Sequence, residues 1–348
     1  MTGKLGPEAL AEVLAATGAA DPAVEVGAAY GEDAAAIALD GAGSTLVVAA
    51  DPLSLAADAV GELAVHVACN DVAASGADPR WLTHTLFLPD DDATRRRTVT
   101  TQVDETARDL GVAIVGGHTE VLPSLERPLC SMTALGTTDR FVSSGGAEPG
   151  DRLLLTKGAA IEATAILATD FREACADAGV SAATLDAAAG FLDDVSVVPD
   201  GAAIRDAASA LHDPTEGGLL TALVETASAS ETVLAVERDR VPVRPETAAC
   251  CDALGVDPLA TFGSGALLAA VPPKRVDEAL GALEAAEIDG AVIGEVRAGG
   301  ALETEGDRDS AESDRDSAEG DCVEPGTVLL DGERIIEAPR DELYPLWE

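Results

Sequence analysis

Aromatic side chains make up only 3% of this 348-residue chain, and lysine occurs just three times, as Lys4, Lys157 and Lys274. With few large rings available, Ala, Val and Leu must fill the interior; they supply most of the 47% hydrophobic content. Basic charge is equally scarce. Against 63 Asp and Glu stand 22 Lys and Arg, a formal net charge of −41. A surface of that sign repels nucleic-acid phosphates and anionic lipids, so neither a nucleic acid nor a membrane is expected as a partner. A core of ordinary hydrophobicity argues against wholesale disorder, so the acids must coat a folded surface. Adaptation to a salty cytoplasm, where ionic strength screens self-repulsion, accounts for such a coat. An anionic ligand would then need cations of its own at its site.

Other absences narrow the field further. No run of about 18 strongly apolar residues occurs, so no membrane span is expected. The first twenty residues lack a basic segment followed by an apolar one, so a secretory leader is not expected and a cytoplasmic location is. The six cysteines include no C-x-x-C pair, which argues against a zinc site or a disulfide framework. Neither the Walker A spacing nor Gly-x-Gly-x-x-Gly nor Gly-x-Ser-x-Gly appears.

What is present reads as alternating strands and helices in two halves, an α/β (α+β) chain of two domains. In the first half the pattern predicts a helix over 4–18, strands over 34–39 and 45–50, a helix over 57–75, a strand over 81–88, a helix over 93–110, and strands over 112–115 and 129–136. The loop Ser143-Ser144-Gly145-Gly146-Ala147-Glu148-Pro149-Gly150 marks the boundary between domains 1–145 and 150–348. Beyond it come a strand Arg152–Thr156, helices Ile161–Thr169, 181–192 and 214–228, and a strand, helix and strand over 265–271, 274–286 and 291–296. Residues 301–324 hold ten acids and two Arg and repeat Asp-Arg-Asp-Ser-Ala-Glu, the composition of a solvated, flexible insertion.

Five clusters could carry chemistry. Gly31-Glu32-Asp33-Ala34 leads into a strand, although taken alone a solvated turn is the better explanation of it. Asp51 closes the strand 45–50, where α/β sheets place ligands; a turn-capping Asp is the other reading. Asn70-Asp71 lies on a helix whose Val60, Ala64 and Val67 share a face with Asp71, so that carboxylate points where core side chains point. Burial there demands a cation, a hydrogen-bond network or a raised pKa. Gly116-Gly117-His118-Thr119-Glu120 ends a strand with backbone open to a ligand. In His212-Asp213-Pro214-Thr215-Glu216-Gly217-Gly218, Asp213 suits an N-cap and Glu216 a capping box. The two glycines call for close approach of a phosphate or of another backbone. Thr156-Lys157-Gly158 resembles the end of a phosphate-binding strand, while the glycine-rich Phe262-Gly263-Ser264-Gly265 could line a ligand but reads more readily as a tight turn.

Together these blocks resemble the AIR synthase superfamily, which includes HypE-like proteins, thiamine-monophosphate kinases and selenophosphate synthetases. Gly31-Glu32-Asp33-Ala34-Ala35 is similar to the family's Gly-Asp-Asp-Ala-Ala, and Asn70-Asp71 through Pro79 to its helix block. Gly117-His118-Thr119-Glu120-Val121 and Asp213-Pro214-Thr215-Glu216-Gly217-Gly218 look like the Gly-Asp-Thr-Lys-Val and Asp-Pro-Thr-Arg-Gly-Gly of the HypE branch. The resemblance implies an N-terminal half-barrel domain that pairs in a homodimer, a C-terminal α/β domain, and ATP with Mg²⁺ in an acidic cleft. It implies phosphorylation of an oxygen on a small-molecule or protein-bound substrate, with or without later dehydration or cyclisation. Asp33, Asp51 and Asp71 are the expected metal residues, with Asp51 and Asp71 catalytic. Asp33, Asn70, Gly117, Thr119, Lys157, Asp213, Gly217 and Gly218 are expected at the nucleotide. A small-molecule kinase of the thiamine-monophosphate-kinase type is the runner-up, and a nucleotide-binding maturation scaffold without turnover the third reading. The branch ends in a reactive cysteine, whereas this sequence closes on Leu343-Tyr344-Pro345-Leu346-Trp347-Glu348 with its last cysteine at Cys322. The branch's cysteine-borne chemistry is therefore not expected.

Overall fold

A computed structural model describes residues 5, 7–15, 19–39, 44–56, 58–301 and 322–348. The core of the acidic insertion, 302–321, and Lys4 lie outside the described residues.

The first half begins with a short helix α1 (Pro7–Leu14) and builds one sheet from β1 (Val24–Val26), β2 (Ala35–Ala38), β3 (Thr45–Leu53), β4 (Asp78–Leu88), β5 (Ala113–Val121) and β6 (Leu129–Thr138). Their spatial order is β1-β2-β3-β6-β4-β5. All neighbours are antiparallel except β4 and β5, which α3 (Ala93–Asp109) joins as a parallel crossover. The inner face of this sheet packs on α2 (Val60–Ala74) and α3 through Val47, Leu82, Leu86, Met132, Val65 and Val103.

The second half forms a seven-stranded sheet from β7 (Arg152–Thr156), β8 (Ala210–His212), β9 (Val233–Val236), β10 (Leu268–Val271), β11 (Gly290–Arg297), β14 (Thr327–Leu330) and β15 (Glu333–Ile335), with β12 (Gly300–Ala301) and β13 (Cys322–Val323) pairing separately. The order β15-β14-β9-β11-β7-β10-β8 is antiparallel apart from β14 beside β9. Its helices are α4 (Ile161–Thr169), α5 (Arg172–Asp177), α6 (Ala182–Ala189), α7 (Val198–Ile204), α8 (Gly218–Ala229), α9 (Pro245–Leu254) and α10 (Val276–Ala285). One core spreads from α8 over Leu153, Leu155, Leu234 and Ile293; a second lies on the opposite face around Leu154, Leu211, Leu267 and Ala269. Alternation along β7 and β10 feeds both faces, as expected for a sheet buried on two sides.

Helix α2 positions the site. It is buried along nearly its whole length. It lies against the first sheet and α3, and also meets α7 and β8 of the second half. A helix enclosed in this way has little amphipathic contrast. Asp71, in its last turn, keeps only 6% exposure, so the face shared with Val60, Ala64 and Val67 is a core face.

Several boundaries differ from the sequence reading. Strand β3 runs on through Asp51 and Pro52 to Leu53, with Asp51 opposite Met132. Strand β5 does not stop at Gly116-Gly117 but continues to Val121. Helix α8 starts at Gly218, with Gly217 as its N-cap at φ 75°, so Asp213 and Glu216 form no capping box. No described helix is long and apolar enough to cross a membrane.

Candidate active site

Four aspartates from four separate segments meet at the seam between the two sheets. Asp33 sits in the turn before β2, Asp51 on β3, Asp71 at the end of α2 and Asp213 directly after β8. The first three line a cleft of about 380 Å³, together with Glu32, Glu162, His212, Glu216, Phe262 and Ser264. Asp213 borders it from below: its N–H donates to Asp33 Oδ2 at 3.3 Å, and both its carboxylate oxygens are buried with no hydrogen-bond partner among the described residues.

Crowding of like charges sets the protonation. Burial pushes the Asp71 carboxyl well above the ordinary carboxylate range, and Asp51, Asp33 and Asp213 push it further. Asp71 and Asp51 are hydrogen-bonded through their side chains, the arrangement of two carboxyls sharing a proton. Burial raises Asp213 as well, followed by the charge of Asp33. One described cation balances part of this negative charge. His212 contacts Asp33 Oδ1 at 2.7 Å and Glu225 Oε2 at 3.0 Å, with Ser144 Oγ at 3.2 Å. Burial alone would lower the His212 pKa, but the two carboxylates outweigh it and push the ring up to about 10. It is held as an imidazolium.

The donor set suits Mg²⁺. Among the described residues no group of three already stands in ligating geometry. Mg²⁺, however, binds through one or two carboxylates and keeps water and phosphate oxygens for its other positions. The unpartnered oxygens of Asp213 and the proton-sharing pair Asp51–Asp71 meet that requirement, because a divalent ion replaces the proton and relieves the repulsion.

The other expected site residues are placed differently. The Asn70 side chain is fully buried and wholly engaged: its Nδ2 donates to the Val195 carbonyl at 2.9 Å and its Oδ1 accepts from the Val197 N–H at 2.8 Å. It ties the two halves together instead of facing a nucleotide. Lys157 Nζ donates to the carbonyls of Asp194 and Ser196 at 3.0 and 2.6 Å and pairs with the buried Asp200 at 3.1 Å. Its charge is spent inside the second domain.

The glycine pair at the start of α8 is explained by the chain itself. A Cβ on Gly217 would meet Thr221 Oγ1 at 2.1 Å and the Pro339 carbonyl at 2.8 Å, and one on Gly218 the Thr261 carbonyl at 2.4 Å; both residues have positive φ. The Gly217 N–H donates to Asp341 Oδ2 at 2.8 Å, which occupies it with a carboxylate of the chain itself. Gly117 and Thr119 lie on the exposed edge strand β5, outside the cleft wall. A Cβ on Gly117 would strike the His84 carbonyl at 2.6 Å, so neighbouring β4 accounts for that glycine too.

Glu162 and Glu225 join the site from outside every motif of the sequence, whereas His212 belongs to the 212–218 block and Ser264 to the glycine-rich 262–265 segment. Glu162 had no signal at all, because an acid in the first turn of a helix is ordinary.

Residues 23–138 match the N-terminal domain of the AIR synthase related proteins and residues 148–307 their C-terminal domain, and the chain belongs to that family. Within it, the chain is similar to the carbamoyl dehydratase HypE of Cupriavidus necator, 33% identical over 272 residues that cover 73% of this chain and 72% of that one. A hydrogenase maturation protein HypE solved in complex with ATP matches with a TM-score of 0.67 at 28% identity, over 90% of this chain and 89% of the other. AaThiL complexed with AMPPCP and TMP shares the fold, with a TM-score of 0.71 at 21% identity over 96% and 97% of the two chains.

Proposed function

We propose that this protein is an ATP- and Mg²⁺-dependent enzyme that phosphorylates a substrate oxygen, with or without subsequent dehydration or cyclisation. The observation that carries the reading is the convergence of Asp33, Asp51 and Asp71 on one cleft with Asp213 beside it, two of the four raised in pKa by burial and then by one another's charge. Buried carboxylates of this density are stable only when shared with protons or a metal. The relationship to HypE, one member of which was solved with ATP, supports the nucleotide. When bound, Mg²⁺ neutralises the triphosphate and orients its γ-phosphate for in-line transfer. Asp51, Asp71 and Asp213 would hold the cation, while Asp33 is fixed beside them by His212 and Ser144.

Calorimetric titration with AMPPCP tests the reading. Binding is expected with Mg²⁺, to be lost with EDTA, and to weaken at least 100-fold in Asp71→Asn. Equal affinity with and without Mg²⁺ would sink it. ATP hydrolysis that disappears in Asp71→Asn separates an enzyme from a scaffold without turnover. A stable phosphorylated product distinguishes a kinase from a dehydratase.

A homodimer is part of the same reading. Every residue of β5 is exposed in the single chain, including the apolar Ile114, Val115 and Val121, and the strand lies at the sheet edge. An uncovered apolar edge strand is a pairing surface. A second copy seated there brings Gly117 and Thr119 into the assembly.

A further inference from the structure

The cleft wall carries a further buried acid, whose charge is felt at Asp213. This is Glu162, in the first turn of α4, which lines the cleft beside Phe262 and Ser264. Its backbone N–H donates to the Ser264 carbonyl at 3.0 Å, which fixes the start of the helix against the 262–265 turn. The side chain is 3% exposed and forms no ion pair with a Lys, Arg or His among the described residues. The Ser264 hydroxyl and backbone N–H both stand against this carboxyl and partly offset the effect of its burial, and the hydroxyl is buried with no other partner among the described residues. A buried carboxyl on a cavity wall, with a hydroxyl beside it and no cation to pair with, marks a place for a ligand's polar atom. Among the described lining residues there is no Lys or Arg, and His212 is already held by two carboxylates. Arg340, on the adjoining cavity, is paired with Glu348 and stacked on Tyr344.

We propose that Glu162 is the catalytic residue that takes the proton from the acceptor, and that the acceptor presents an uncharged hydroxyl oxygen there and not a phosphate or carboxylate. The inference rests on the ATP reading above. In the transfer, the acceptor oxygen bonds to the γ-phosphorus while the bond from that phosphorus to the β–γ bridging oxygen breaks. The electron pair leaves with ADP, and the acceptor's proton ends on the Glu162 carboxylate. Burial, the largest influence, pushes Glu162 up to about 7, which suits a group that accepts and releases a proton near neutrality.

The test uses the full chain, Mg·AMPPCP as the binding probe, and Mg·ATP with water, glycerol or inorganic phosphate as acceptor. Glu162→Gln is expected to bind Mg·AMPPCP within about threefold of wild type. It should lose about 100-fold or more of the transfer to water and glycerol. The wild-type rate should rise with pH through about 7, and that rise should vanish in the variant. Inorganic phosphate should neither accept nor compete. Transfer by Glu162→Gln at the wild-type rate and with the wild-type pH profile overturns the proposal. So does phosphorylation of inorganic phosphate, or a wild type that binds the nucleotide and transfers to neither neutral acceptor. Should the Gln variant not fold, Glu162→Asp decides: slower transfer with intact binding supports the assignment, and an unchanged rate removes it. Failure of the nucleotide reading itself is recognised separately, as absence of Mg·AMPPCP binding in the wild type.

Discussion

At the scale of residues, the cleft stores unfavourable electrostatics in the free protein. For Glu162 the direction can be worked through. The unfolded chain releases this proton near the ordinary 4.5, whereas the folded chain keeps it until about 7. Its contribution to stability is therefore complete below 4.5 and disappears as pH rises through 7. The difference corresponds to about 3 kcal/mol at 1.36 kcal/mol per pH unit. Without nucleotide, thermal melts at constant salt should show Glu162→Gln little changed near pH 4.5 and several degrees more stable than wild type at pH 8. A variant with the same offset at both pH values would show that Glu162 is ionised and solvated. Asp213→Asn should likewise stabilise the free protein at alkaline pH, since it removes a buried carboxyl whose ionisation burial opposes, while Mg·AMPPCP affinity falls at least tenfold. Matched melting and titration curves check the two halves of that expectation.

At the scale of elements, the segment Asp194–Val197 is gripped from both sides, by Asn70 of α2 and by Lys157 beyond β7. Asn70 adjoins Asp71, so this grip also sets where the buried carboxylate points. Asn70→Ala leaves a carbonyl and an N–H of buried backbone unsatisfied, at a cost of roughly 2–4 kcal/mol. Denaturant unfolding measures it, and a loss below about 0.5 kcal/mol would mean water replaces the amide. Lys157→Met strands Asp200, which is fully buried, and should cost about 3–5 kcal/mol. Both polar residues looked like ligand contacts in the sequence. Whether an amide or an ammonium faces a ligand or the chain's own carbonyls depends on a partner more than a hundred positions away for Asn70 and nearly forty away for Lys157. No local spacing encodes that. Asp71 was legible for the opposite reason: its direction follows from helix periodicity alone.

At the scale of the whole molecule, a net charge of −41 makes solvent ions part of the stability. The screening length shrinks from about 10 Å at 0.1 M salt to about 3 Å at 1 M. Melting temperature should therefore climb with KCl through this range, and a flat response would show that the surface acids are not in mutual repulsion. The same charge must be overcome where two copies meet. Val115→Asp, on the exposed β5, should convert a dimer measured by light scattering into a monomer, with the fold retained by circular dichroism. A wild type that is monomeric at micromolar concentration removes the dimer from the functional reading.

The two-domain α/β plan, most strands and helices, the inward direction of Asp71 and the family were determined by the sequence, because hydrophobic period and short motifs are local and survive in one dimension. The strand through Gly116-Gly117 and the late start of α8 were not. In each case a neighbouring backbone, His84 or Thr261, decides what the glycines accommodate. Only the tertiary structure could seat His212 between Asp33 and Glu225, commit Lys157 to Asp200 and bring Glu162 to the wall of the cleft. Charge and burial act through space, and the groups that fix each protonation state come from segments far apart along the chain.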